Sequence, residues 1–166
     1  MNRRDIMLAS AMGAVGLTLP GRSLAQAKTP KELIVGAWSL DSVYDEGADG
    51  TKHYVWGDGV KGLVIYTAGG HVSSQIMAAD RNKGASNNPR MPVGQAIAYF
   101  GTYDMDDEKM AIAVRIERCT FPGWDGVTRV GKIASISDID YHYEAAVVHA
   151  PVHGDVIPRI VWKRIA

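Results

Sequence analysis

From Ile34 to the C-terminus, apolar and polar residues alternate almost one for one in short runs, and Gly- and Asp-containing breaks separate many of the runs. Side chains two apart share one face of a strand, so this pattern specifies half-buried β-strands and excludes long amphipathic helices. Ile34 to Tyr44 reads as the first strand, closed by Asp45 to Gly50. Lys61 to Thr67 and His71 to Met77 form a hairpin across Ala68-Gly69-Gly70, where glycine accepts positive φ. Ala96 to Asp104 and Met110 to Thr120 form another, with Met105 to Lys109 as the turn. Gly126 to Ser137, Asp140 to His149 and Val156 to Ile165 complete the series, and His53 to Trp56 adds a short strand. Eight or nine strands in hairpin order either stack as two sheets or close into an up-and-down barrel, which leaves no exposed edge. The one long irregular stretch, Ala79 to Gln95, reads either as a lid or binding loop or as slack surface.

The first twenty-seven residues have a different character. Arg3-Arg4 precedes an apolar run from Ile6 to Leu19, Pro20-Gly21 breaks it, and Ala25-Gln26-Ala27 supplies small residues for a signal peptidase. The run is short of the roughly 20 apolar residues that span a bilayer. The paired arginines resemble a twin-arginine signal, although Asn2 and Ile6 depart from its usual residues; the general secretory route is the other reading. The expected organisation is therefore a cleaved export segment, 1–27, and one domain, 28–166, delivered to the periplasm or secreted. Loss of 1–27 removes Arg3, Arg4, Arg22 and Asp5, leaving 15 basic and 17 acidic residues, a net charge near −2. With no basic cluster, nucleic-acid binding has no support. With no second apolar span, stable membrane insertion after cleavage has none either. The single cysteine, Cys119, has no intrachain partner and reads as a small apolar residue.

Several segments together point to a family. Gly36-Ala37-Trp38 is similar to the lipocalin G-x-W signature, and Trp162-Lys163-Arg164 would bring a cation to that tryptophan at the barrel base. More specific are Gly62 to Thr67, Gly70 to Met77, Ala98 to Tyr103 and Phe121 to Gly126 in that order. This set resembles the bacterial and fungal lipocalin-like domain family of small barrels, from about Leu33 onwards. The resemblance implies an all-β fold, an antiparallel up-and-down barrel with a lipocalin-like interior. It also shows departures: Val114 and Arg115 stand where members often carry two histidines, and Gly123 stands where Asn is frequent, while Glu117 matches.

About eight strands enclose room for packed side chains or one small ligand. The implied partner is thus a small hydrophobic or amphipathic molecule, with no cofactor. The candidate ligand-binding residues are polar groups on otherwise apolar strands: Tyr66, Gln75, Tyr99, Tyr103, Arg115 and Glu117. Arg115 and Glu117 share a face that opposes the more apolar face of Ile112, Val114 and Ile116, so an exposed stripe is the competing reading for that pair. Gly36, Trp38 and Arg164 are the expected structural residues of the barrel base, and Trp124 and Trp162 are core or barrel-closing candidates. The five histidines form no H-E-x-x-H or Cys–His zinc spacing, and His149 and His153 flank a Pro turn as a weak metal pair. No G-x-S-x-G elbow or phosphate loop is present. Two functions remain: an exported binder of a small, largely apolar molecule, or a small barrel enzyme of isomerase or cyclase type using Tyr66, Tyr103, Glu117 or His71.

Overall fold

The computed structural model describes residues 27–81 and 94–165. The segment expected to direct export, up to Gln26, and most of the Ala79–Gln95 loop lie outside the described residues. A short helix, α1 (Pro30–Ile34), leads into ten strands: β1 (Gly36–Gly47), β2 (Lys52–His53), β3 (Lys61–Tyr66), β4 (His71–Met77), β5 (Ala96–Asp106), β6 (Ala111–Cys119), β7 (Thr128–Ile136), β8 (Asp140–Glu144), β9 (Val148–Ala150) and β10 (Gly154–Arg164). A single 3-10 turn, Pro122–Trp124, follows β6.

Eight strands pair antiparallel in the order β1-β3-β4-β5-β6-β7-β8-β10, and β10 returns to β1 from Trp38↔Arg164 to Gly47↔Val156. That pairing closes the barrel. The hairpin order expected from the alternation is thus realised as a barrel and not as two stacked sheets. β2 extends β1 at one rim and β9 extends β10.

Two expectations are corrected. The strand expected from Asp140 to His149 is divided. Ala145 N–H donates to Pro158 O at 2.9 Å, but Pro158 has no N–H to return, so the ladder lapses before β9 resumes further along β10. The first strand begins two residues later than its pattern suggested, because Ile34 ends α1. Thr29 and Glu32 form a capping box, with Glu32 accepting from the Thr29 N–H at 2.8 Å, and Pro30 occupies the first turn. The T-x-x-E spacing was visible in the sequence, but five residues are too few for periodicity to reveal.

α1 covers one end of the barrel. Its Lys31 N–H donates to Asp107 at 2.7 Å and its Ile34 is fully buried. Above it the core is built from Trp38, Val64, Ile112, Ile116, Ile133, Tyr141 and Trp162. The opposite end is formed by the end of β1, the start of β10 and the residues around Trp56 and Trp124. Among the described residues no helix is long and apolar enough to cross a membrane.

Candidate functional site

The closed end explains why the chain carries G-x-W and a terminal arginine. Trp38 is 0 % exposed, donates its indole N–H to Ile34 O at 2.9 Å, and meets Tyr141 edge-on at 4.8 Å between ring centres. Arg164 lies 4.0 Å over the Trp38 ring and donates to Val35 O at 3.0 Å, to Asp138 O at 2.7 Å and to Leu33 O. Gly36 makes this possible in two ways. Its φ of +138° is one that L side chains rarely adopt, and a Cβ there would stand 2.5 Å from the Arg164 guanidinium. The structure thus brings Gly36, Trp38 and Arg164 into one unit that seals the base.

Above this seal is a cavity of about 370 Å³ that opens at the other end. Its apolar walls include Val64, Tyr66, Ile76, Ile97, Val114, Ile116, Tyr141, Ile160 and Trp162 from the strands, with Val55, Trp56, Trp124 and Val148 from the segments at the end away from the seal. The volume falls in the usual range for small-ligand sites, and so does the mixture of many apolar walls with few polar groups.

Among the described residues the polar groups are phenols, one serine, one arginine and one aspartate at the walls, with Gln95 at the rim. Tyr66 and Tyr141 approach hydroxyl to hydroxyl at 3.4 Å in the floor, and burial holds both phenols well above their ordinary range. Burial likewise pushes Tyr143 up to about 12. Tyr99 is raised by burial, with its cross-strand partner Ser74 and the Arg129 charge pulling the other way. All four phenols stay protonated at neutral pH and are suited to donate hydrogen bonds. Asp45 is also raised by burial, opposed by His53 and His153.

Tyr143 owes its position to a glycine. β8 pairs with β7, and a Cβ on Gly131 would lie 2.2 Å from the Tyr143 ring. The bare backbone of β7 lets that ring lie flat along the wall, where a side chain would drive it into the cavity.

The residues expected to bind ligand are divided by the fold. Tyr66 and Tyr99 line the cavity. Tyr103 faces inward against Tyr66 at 4.9 Å, but its hydroxyl donates to Thr67 O at 2.9 Å, tying down the β3–β4 turn. It supports the floor and does not line the cavity. Gln75 is corrected outright: Val72, Ser74 and Ile76 take the inner face of β4, and the Gln75 amide bonds the Ser73 hydroxyl at 3.1 Å on the outside. Arg115 and Glu117 are corrected too. Ile112, Val114 and Ile116 fill the inner face of β6, and a bulge where Phe100 opposes Arg118 and Gly101 opposes Ile116 leaves Glu117 as the extra outward residue. His71 is exposed at the start of β4. His149 and His153 line one open depression at the rim with His53, where His149 bonds Asp155 at 2.9 Å and His153 stacks on His53 at 3.8 Å.

Sequence reasoning passed over Ser74, Arg129, Tyr141 and Tyr143. Tyr141-His142-Tyr143 did carry a signal, two aromatics on one face of a strand with a polar residue between. Arg129 carried a weaker one, its alternation with Gly131 and Ile133, since an arginine on that face reads first as solvated.

The lipocalin-like domain family model matches residues 35–165, nearly the whole described barrel. The chain belongs to the lipocalin-like domain family. The match begins beside Gly36 and ends one residue after Arg164, so the residues of the base seal lie at both ends of the matched segment. Among solved structures, the chain is similar to a redesigned β-barrel at 14 % identity, covering 82 % of this chain and 95 % of that one with a TM-score of 0.41. No curated protein matches the sequence. A lipocalin-like barrel with an open interior is a frame for binding small molecules in general.

Proposed function

We propose that the protein is an exported carrier that holds one small, largely apolar molecule in its barrel. The observation that supports this reading most is the 370 Å³ cavity, closed below by the Trp38–Arg164 seal, open above, and walled mainly by aliphatic and aromatic side chains. A filled interior would have indicated a structural barrel. This cavity has the volume of about a dozen waters at roughly 30 Å³ each, enough for a compact ring system or a short chain. The binding reading is preferred to isomerase or cyclase chemistry because the cavity phenols are displaced away from neutrality by burial, and an acid–base catalyst works best with a pKa near the operating pH. Export rests on the N-terminal segment: a basic start, a short apolar run and a small-x-small site before Lys28.

A thermal-shift screen of hydrophobic metabolites tests the reading. A ligand at a hundred times its dissociation constant stabilises the fold by about 2.7 kcal/mol. Tyr66→Phe and Tyr99→Phe remove hydroxyls from the floor and wall and are expected to weaken the shift. A ligand bound equally well by both variants would move the site elsewhere in the molecule. Absence of any stabilising compound across a broad apolar panel would refute the carrier reading.

A further inference from the structure

The described residues include three half-buried arginines, and two of them are fully accounted for. Arg159 on β10 lies between Glu46 and Glu144, and Arg164 is bound by three backbone carbonyls at the base. Arg129 is different. Among the described residues no carboxylate lies within ion-pairing distance of it and its guanidinium donates no hydrogen bond; it lies 4.1 Å over the ring of Trp124. β7 turns it inward: it pairs with buried Val114 and alternates with buried Gly131 and Ile133. It lines the mouth of the cavity close enough to Tyr99 and Tyr143 for its charge to act on both phenols.

A half-buried cation with no anionic partner loses hydration that a ring face replaces only in part. Its planar fork suits an oxyanion, and two protonated phenols beside it add donors that an oxyanion accepts. The other charged group among the described residues that line the cavity, Asp45, is on β1, separated from β7 around the barrel by β8 and β10, and it faces His53 and His153. The two charges therefore stand on different walls, three strands apart around the barrel, and the apolar floor lies beneath them.

We infer that the cavity takes an amphipathic molecule with one anionic head, a carboxylate or comparable oxyanion, bound by Arg129 with Tyr99 and Tyr143 while its apolar body descends towards Tyr66 and Trp162. This rests on the cavity being the binding site, and it names the chemical class that the site selects.

Two probes share one ring skeleton and differ in charge: anilinonaphthalene sulfonate, which is anionic, and phenylnaphthylamine, which is neutral. Fluorescence titration of the full chain should show tighter binding of the anionic probe. Arg129→Gln should lower the ratio of anionic to neutral affinity by about tenfold or more, the loss of a charge-assisted bond. Arg129→Lys keeps the charge and should retain part of the preference, whereas Arg115→Gln, on the outer face, should leave the ratio unchanged. Far-UV circular dichroism of each variant checks that the barrel is intact. If the neutral probe binds and the ratio is the same in Arg129→Gln as in wild type, the anionic-head inference is overturned while the cavity reading stands. If neither probe binds wild type, the cavity reading fails and the inference with it.

Discussion

Trp38→Ala is the sharpest test of how the barrel is closed. The side chain is 0 % exposed, so its removal deletes a large buried aromatic, which costs about 3–5 kcal/mol. Two further losses push the value to the top of that range. Ile34 O loses the indole donor at 2.9 Å, and an unsatisfied buried acceptor costs about 1–3 kcal/mol. Arg164 loses the ring it covers at 4.0 Å, although its three carbonyl partners remain. We expect about 5 kcal/mol in all, a large part of the roughly 5–15 kcal/mol that stabilises a domain of this size. At about 4 °C per kcal/mol, Tm should fall by roughly 20 °C. Trp38→Phe keeps most of the volume but not the N–H, so it should cost about 1–3 kcal/mol. Trp162 is almost as deeply placed and stacks on Tyr141 at 6.3 Å, but among the described residues no cation lies over its face, so Trp162→Ala should cost less than Trp38→Ala. Urea unfolding followed by far-UV circular dichroism measures all three without relying on the tryptophan signal being changed. A loss below about 1 kcal/mol for Trp38→Ala, or a larger loss for Trp162→Ala, would refute the account of the base seal.

Other outcomes are expected. Gly36→Ala should destabilise by at least about 2 kcal/mol, because φ of +138° and a 2.5 Å approach to Arg164 act together; chemical denaturation reads this, and a neutral effect would mean the strand start can shift freely. Gly131→Ala should cost about 1–3 kcal/mol in wild type but much less in a Tyr143→Ala background, and an additive double-mutant cycle would show that the Tyr143 ring does not depend on that glycine. N-terminal sequencing of the exported protein should find Lys28 first, and a start more than a few residues away would refute the cleavage assignment. Replacing Arg3 and Arg4 by Lys should block export by the twin-arginine route; unchanged export would indicate the general secretory route.

Local pattern was sufficient for the strands of the wall. Alternation in His71 to Met77 and Met110 to Thr120 reports which residues face in, because a strand exposes only two faces and the apolar one must be buried. It already favoured Ile112, Val114 and Ile116 over Arg115 and Glu117, and the structure places both charged residues outside. Gly36, Trp38 and Arg164 were also legible, since each is an unusual residue at a fixed distance from a strand end. Two things were decided only by the tertiary structure. One was closure: β1 meets β10 across more than a hundred residues, and no short-range signal distinguishes that pairing from two stacked sheets. The other was the chemistry of the cavity. Tyr99 with Ser74, Tyr143 over Gly131, and Arg129 over Trp124 lie on four different strands and one turn. Each looks ordinary in its own segment. Whether a tyrosine packs, latches a turn as Tyr103 does, or lines a cavity depends on what stands opposite it, and in a barrel that neighbour comes from a strand distant in sequence.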